Sequence, residues 1–174
     1  MSHGPPRLLD GLPLRYNDVG ALLVTDDGRY LAQLRDDRPD IRAPAHWGMF
    51  GGGIHPGEGD EEALRRELVE ELDLRVGELR RVTELVYVEP VPPYDLGRKV
   101  YLEARVTERE LAGLVQREGA ARRLLPAAEL LGQPRVLPWD AFAVRLHAGC
   151  RLLFPAGIGW AAAGIGVDGT PTPR

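Results

Sequence analysis

The sequence lacks the residues that would cross-link this chain or anchor it. A single cysteine, Cys150, excludes an intrachain disulfide and favours a reducing compartment. The four histidines are scattered without metal-ligand spacing, so a zinc site is not expected. No basic stretch followed by an apolar run opens the sequence, and its longest uncharged stretch, 152–167, is shorter than the roughly 20 residues of a membrane-spanning helix. We therefore expect a cytoplasmic protein that does not enter a membrane.

The chain has no excess of positive charge. The 22 basic and 26 acidic residues give a net charge of −4. A chain of this charge has no general attraction to nucleic-acid backbones or anionic lipid surfaces, so neither is expected as a partner. Any phosphate-bearing ligand must be bound at a local site. Glycine and proline are abundant, with 21 and 15 residues, which predicts many turns and loops.

The length suits one domain. The 174 residues fall within the range that a single hydrophobic core serves. We divide the chain into an N-terminal lead-in (1–15), a folded domain (16–152) and a C-terminal tail rich in Gly, Ala and Pro (153–174). The apolar tail makes a homodimer conceivable without establishing one.

Strands outnumber helices in the predicted secondary structure. Apolar runs, turns and alternation predict strands at 19–25, 29–34, 47–50, 82–88, 99–106 and 122–125. In 99–106 the small apolar residues alternate with Tyr101, Glu103 and Arg105, a period typical of a half-buried strand. Helices are predicted at Asp60–Leu72 and Pro138–His147, and 108–116 is read as either a short helix or an ordered loop. This order predicts an α+β fold, with the long helix between strands.

Three glutamates share one face of the first helix. Glu67, Glu70 and Glu71 are related by three and four residues, which places them within contact range in the C-terminal half of the helix. The helix dipole disfavours negative charge there, so the cluster costs stability unless a cation compensates it. Mg²⁺ is the natural choice for such oxygen ligands, and the preceding Gly51–Gly53 run could add a backbone carbonyl.

The segment from Gly52 to Leu74 resembles the Nudix box. That motif reads Gly, five residues, Glu, seven residues, Arg-Glu, an aliphatic, any residue, Glu-Glu, any residue, Gly, an aliphatic. The matching positions here are Gly52, Glu58, Arg66, Glu67, Leu68, Glu70, Glu71 and Leu74. Asp73 stands where the family has Gly, just past the helix, where a left-handed cap is expected and Asp is tolerated.

The resemblance to MutT-like Nudix hydrolases implies an α/β/α sandwich around a mixed sheet. It also implies hydrolysis of a nucleoside diphosphate linked to another moiety, with one to three Mg²⁺ or Mn²⁺ ions. By carry-over, Glu67, Glu70 and Glu71 would be metal ligands together with the carbonyl of Gly51. Glu67 is a candidate base, and Arg66 and Glu58 would orient the ligands, with Gly52 in support.

Other site residues are predicted from their context. Relatives recruit a further carboxylate beyond the helix, for which Glu118 is favoured over Glu110. Arg35 and Arg42 could contact a phosphate, and Trp47 or Tyr94 could stack on a base. Tyr94 is the better stacking candidate, because Trp47 is at least as well explained as a core residue.

The substrate class stays open at this level. Pro90, sixteen residues after Leu74, resembles a feature of ADP-ribose pyrophosphatases and gives that class, or nucleotide sugars, a slight preference. A house-cleaning nucleoside triphosphate pyrophosphatase is the alternative. A non-catalytic Nudix module is disfavoured because every box glutamate is present, and an isoprenyl diphosphate isomerase because Cys150 lies far along the chain from the box.

Overall fold

The computed structural model describes residues 14–88 and 95–153. The described chain contains six strands and four helices, in this order: β1 (Leu14–Val24), β2 (Arg29–Leu34), β3 (Trp47–Gly48), α1 (Asp60–Leu72), β4 (Arg80–Val88), β5 (Leu96–Arg105), α2 (Glu108–Ala112), β6 (Ala121–Pro126), α3 (Ala127–Leu131) and α4 (Pro138–Leu153).

A mixed sheet forms the centre of the fold. Its main order is β3-β2-β1-β5-β4, and β6 pairs with β2 off this path. β1 runs parallel to β5 over its length, with Asp18 opposite Lys99, whereas the other pairs are antiparallel. The predicted hairpin of β1 and β2 is confirmed, and Gly28 completes its turn at a φ of 86°.

Two hydrophobic cores cover the two faces of this sheet. One core packs α1 against β1 and β5 and contains Leu64, Leu68 and Leu72, each 0% exposed. The other packs α3 and α4 against the opposite face and contains Tyr30, Tyr101 and other apolar residues. The predicted α+β fold, an α/β/α sandwich with a mixed central sheet, is therefore confirmed.

Helix α1 has the bounds that the sequence predicts. Three leucines at four-residue spacing form its buried stripe, and acidic residues occupy its first turn, where the dipole favours them. The helix ends at Asp73 with φ 54° and ψ 32°, the expected left-handed cap. The N–H groups of Asp73 and Leu74 bond back to Val69 and Leu68, which closes the end of the helix.

Strand β5 corrects one prediction. Tyr101 and Glu103 are 0% and 4% exposed, so the strand is buried on both faces rather than half-buried. The reason is its central position between β1 and β4, with α1 on one face and α4 on the other. The polar side chains of its second face are therefore enclosed and must be paired.

Strand β2 has the predicted bounds, whereas several other elements differ in extent from the prediction. α4 runs six residues beyond the predicted end at His147, and α3 follows β6 directly. β1 begins at Leu14, inside the expected lead-in. Residues 1–13 and 154–174, which make up most of the expected lead-in and tail, lie outside the described residues. Over the described part of the chain, no helix has both the length and the apolar character that crossing a membrane requires.

Candidate active site

The glycine run lies against strand β1, directly before helix α1. The N–H of Val19 donates to the Gly52 carbonyl at 2.9 Å, and Gly51 adopts a φ of 128°. A Cβ on Gly51 would stand 2.4 Å from the Val19 carbonyl oxygen, and one on Gly52 would stand 2.7 Å from the Glu67 carboxylate. Glycine is therefore required here for the backbone to approach both the strand and the acid.

A cavity of about 240 Å³ opens beside this run. Four acidic residues from three separate parts of the chain line it: Asp18, Glu67, Glu71 and Glu118. Three basic residues line it as well: Arg35, Arg42 and Lys99. The cavity therefore joins β1, the loop after β2, α1, β5 and the loop before β6 around the glycines.

Glu71 is the most enclosed acid of the cavity. It is 4% exposed, and the Gly51 N–H donates to its Oε2 at 2.9 Å. Burial raises the pKa of Glu71 to about 8, and repulsion from Glu118 and Glu67 adds to the effect, although the Gly51 N–H opposes it. Burial likewise raises the pKa of Glu67, against the opposing effect of Arg66. Burial therefore disfavours the charged form of both carboxylates, although Arg66 pairs with Glu67 at 2.7 Å.

A hard divalent cation fits this donor set. Glu67, Glu71 and Glu118 supply carboxylate oxygens, and Gly51, whose carbonyl the Nudix-box resemblance implies as a ligand, lines the same cavity. Among residues 14–88 and 95–153, however, no three His, Cys, Asp or Glu side chains stand ready-made around one ion position.

Arg66 connects the loop to the helix. Its Nε and Nη2 donate to the two carboxylate oxygens of Glu58 at 2.9 and 3.0 Å, and its Nη1 donates to Glu67 at 2.7 Å. Nη2 also donates to the Gly53 carbonyl at 2.8 Å. The Arg66 guanidinium, helped by the His55 N–H, lowers the pKa of Glu58 to about 2. One side chain therefore orients both the glycine run and an acid of the cavity.

Several predicted site residues lie elsewhere. Glu70 is absent from the cavity lining; its exposed carboxylate accepts from Arg66 at 3.3 Å. Glu110 forms a capping box with Thr107 at the start of α2. Trp47 is 6% exposed in the core on the α4 side of the sheet and does not line the cavity. Tyr94 and Pro90 lie outside the described residues.

Arg42 and Arg35 do line the cavity, as the sequence suggests. Arg42 donates to Asp18 at 2.9 Å, and its guanidinium lies 4.2 Å from the ring centre of Tyr16 and 5.1 Å from that of Trp139. Arg35 donates to the Arg42 carbonyl at 3.1 Å, which orders the intervening loop. These arginines place positive charge next to the carboxylates.

Sequence reasoning missed three polar residues of this region. Asp18 and Lys99 line the cavity, and Asp140 accepts from Lys99 Nζ at 2.9 Å while being 0% exposed. They come from β1, β5 and α4, so no local motif joins them. The available signal was composition, because Lys99 is the single lysine of the chain.

The family follows from comparison with known proteins. The profile of the NUDIX domain matches residues 14–145, which is most of the chain. The chain therefore belongs to the NUDIX domain family. This membership confirms the resemblance carried by Gly52 to Leu74.

One relative is similar in sequence over part of the chain. A nucleoside triphosphatase, NudI of Escherichia coli O1:K1, is 37% identical over 100 residues, which are 55% of this chain and 62% of that protein. The chain thus spans less than two thirds of the length of this relative.

Solved structures share the fold. The E. coli ORF135 protein has a TM-score of 0.66 at 24% identity, covering 88% of this chain and 100% of that one. The MutT protein of Methanosarcina mazei Go1 has a TM-score of 0.64 at 18% identity, covering 80% and 96%. The NUDIX domain of Shewanella oneidensis NrtR, solved with ADP-ribose, has a TM-score of 0.59 at 18% identity, covering 86% and 94%.

Proposed function

We propose that this chain is a divalent-cation-dependent hydrolase that cleaves a phosphoanhydride bond of a nucleoside triphosphate, or of a nucleoside diphosphate linked to another group. One observation carries the proposal: Glu67, Glu71 and Glu118 line a single cavity with Arg35 and Arg42. Carboxylates for a cation and arginines for phosphate oxygens are the two requirements of phosphoryl chemistry. Mg²⁺ is the proposed ion, with Mn²⁺ as a substitute.

Each group has a defined task in this proposal. A bound divalent cation would neutralise phosphate oxygens and acidify a water molecule. Glu67, Glu71, Glu118 and the Gly51 carbonyl would hold the cation, and Glu67 is the candidate base for the attacking water. The hydrogen bonds of Arg66 keep Glu67 against Gly52, so the base is oriented before substrate binds. Glu70 remains a predicted further ligand.

Nucleoside triphosphates are the first substrate class to test. NudI, the relative with 37% identity, is a nucleoside triphosphatase, which favours this class. ADP-ribose or a nucleotide sugar is the second candidate. It is supported by the Pro90 spacing and by the ADP-ribose bound to the NrtR domain of the same fold.

The test is Mg²⁺-dependent turnover on a panel of nucleoside triphosphates, ADP-ribose and nucleotide sugars, with identification of the products. Glu71→Gln and Glu70→Gln should each lose most activity, whereas Glu61→Gln, an exposed acid of the same helix, should not. Chelation of the cation should abolish turnover. If the wild type binds these nucleotides and hydrolyses none of them, the chain is a binding module instead.

A further inference from the structure

Lys99 occupies an unusual position for a lysine. It is the only lysine among 22 basic residues, and it is 5% exposed while lining the candidate cavity. Lysine is rarely buried without a partner, because its ammonium group loses much hydration there. Its burial in the cavity therefore requires a partner for the ammonium group, and its place there calls for a functional explanation.

The partner is Asp140, at the start of helix α4. Its Oδ1 accepts from Lys99 Nζ at 2.9 Å and also from the Tyr101 hydroxyl, and its Oδ2 accepts from the Met49 N–H at 2.7 Å. Asp140 is 0% exposed and both of its oxygens are engaged, so a ligand cannot donate to it. The ammonium of Lys99 has three donors, and the hydrogen bond to Asp140 uses one of them.

Two glycines make room for the pair. A Cβ on Gly20 of β1 would stand 2.8 Å from Lys99 Cε, and a Cβ on Gly48 of β3 would stand 2.7 Å from Asp140 Oδ2. Side chains are thus absent from β1 beside Lys99 and from β3 beside Asp140. Lys99 is therefore fixed in place by its surroundings and does not sample the range of an exposed lysine.

The surroundings of Lys99 differ from those of the glutamates. Met49 and Leu137, two cavity residues of the α4-side core, lie beside its partner Asp140, whereas Glu67 and Glu71 adjoin the glycine run. A cation and the phosphates belong with the carboxylates. Two apolar side chains beside one ammonium group suit the edge of a planar ring that carries a hydrogen-bond acceptor.

We infer that Lys99, positioned by Asp140, donates a hydrogen bond to a keto oxygen on the edge of the substrate's nucleobase. The inference rests on the proposed function, since it assumes that the cavity binds a nucleotide. An ammonium group can only donate a hydrogen bond, so it pairs with the keto oxygen of uracil or hypoxanthine. It rejects the amino group that cytosine or adenine carries at the same ring position.

The kinetic test uses two substrate pairs that differ at that position, UTP with CTP and ITP with ATP. The wild type should prefer the keto member of each pair. In Lys99→Met/Asp140→Asn, which leaves no unpaired buried charge, kcat/KM for UTP and ITP should fall about tenfold to a hundredfold, mainly through KM. The values for CTP and ATP should change less than about threefold. Asp140→Asn alone keeps an acceptor for Lys99 and should retain part of the preference.

A second measurement does not depend on turnover. Protein grown with ¹³C-lysine gives a single lysine Cε resonance, because the chain has one lysine. UMP should shift this resonance and saturate at a concentration about tenfold lower than CMP. Equal responses to UMP and CMP, no response to either, or equal kcat/KM within each substrate pair would overturn the inference. Selective binding of UMP without hydrolysis of any triphosphate would instead overturn the proposed function.

Discussion

Arg66 holds Glu58 through two parallel hydrogen bonds of 2.9 and 3.0 Å, and the same guanidinium donates to Glu67 at 2.7 Å. The acid on helix α1 is thereby fixed to the loop that precedes the helix. A planar guanidinium can make these three hydrogen bonds together, whereas a single ammonium group cannot make them in the same geometry.

Arg66→Lys should therefore lower kcat/KM about tenfold to a hundredfold, the usual cost of losing a group that orients a metal ligand. The neighbouring Arg65→Lys is the matched control. Arg65 donates to the carbonyls of Val76 and Gly77 at 2.6 and 2.7 Å, outside the cavity. Equal losses in the two variants, measured by steady-state kinetics, would show that helix stability and not orientation of Glu67 is responsible.

Gly52→Ala should reduce activity with little effect on folding. The added Cβ would stand 2.7 Å from the Glu67 carboxylate, a flexible group that can move aside but then leaves its place in the cavity. We expect a loss of at least about tenfold in kcat/KM and a small change in the free energy of unfolding. Gly53→Ala adds a Cβ with no heavy atom within 4 Å and should keep wild-type activity.

The fold could be predicted where local signals agree. The leucine stripe predicts the helical segment of α1, and the tolerated left-handed residue Asp73 predicts its C-terminal end. The five-residue α3 has too few residues for a periodic signal, and it depends on contacts with β2, β6 and α4. The burial of both faces of β5 likewise follows from its neighbours in the sheet, which its alternating sequence does not encode.

The site could be predicted only in its local part. Helical spacing groups Glu67, Glu70 and Glu71, but the conformation of each side chain separates Glu70 from the other two. Lys99 and Asp140 are 41 residues apart and meet only after β5 and α4 have packed. Such pairings arise from long-range topology, so a single sequence gives no spacing from which to infer them.

The stability of the metal-free protein should depend on Glu71 and pH. Burial raises the pKa of Glu71 to about 8, above its ordinary 4.5, so the folded protein retains a proton that the unfolded chain releases. The Glu71 contribution to the free energy of unfolding is therefore full below the ordinary pKa and is lost as pH rises toward 8.

Glu71→Gln removes this contribution. In a chelating buffer, wild type should lose on the order of 2 kcal/mol more than the variant between about pH 5 and about pH 8. Urea unfolding at several pH values measures the difference. Mg²⁺ should restore wild type at the higher pH and leave the variant nearly unchanged. Parallel pH profiles of the two proteins would contradict the raised pKa.

Asp73 should be replaceable by glycine. It caps α1 at a φ of 54°, a conformation that glycine adopts without strain, and its carboxylate pairs only loosely with Arg117 at 3.5 Å. Asp73→Gly should keep activity and change the free energy of unfolding by about 1 kcal/mol or less. Asp73→Val, with a β-branched side chain at the same φ, should destabilise the protein more. A large loss of turnover in Asp73→Gly would refute a purely structural role.

Glu118 lines the cavity, whereas Glu110 caps helix α2. Glu118 also acts on the pKa of both Glu67 and Glu71. Its loop is fixed to α1, because the Arg117 N–H donates to the Glu71 carbonyl at 2.8 Å. Glu118→Gln should therefore lower kcat/KM about tenfold to a hundredfold and raise the Mg²⁺ concentration at half-maximal rate.

Glu110→Gln is the matched substitution in the same region of the chain. Glu110 caps α2 by accepting from the Thr107 N–H at 2.7 Å, and glutamine can make the same cap, so both activity and stability should be retained. Magnesium titrations of the two variants decide the assignment. A changed Mg²⁺ concentration at half-maximal rate in Glu110→Gln, or an unchanged one in Glu118→Gln, would show that Glu118 is not the further metal ligand.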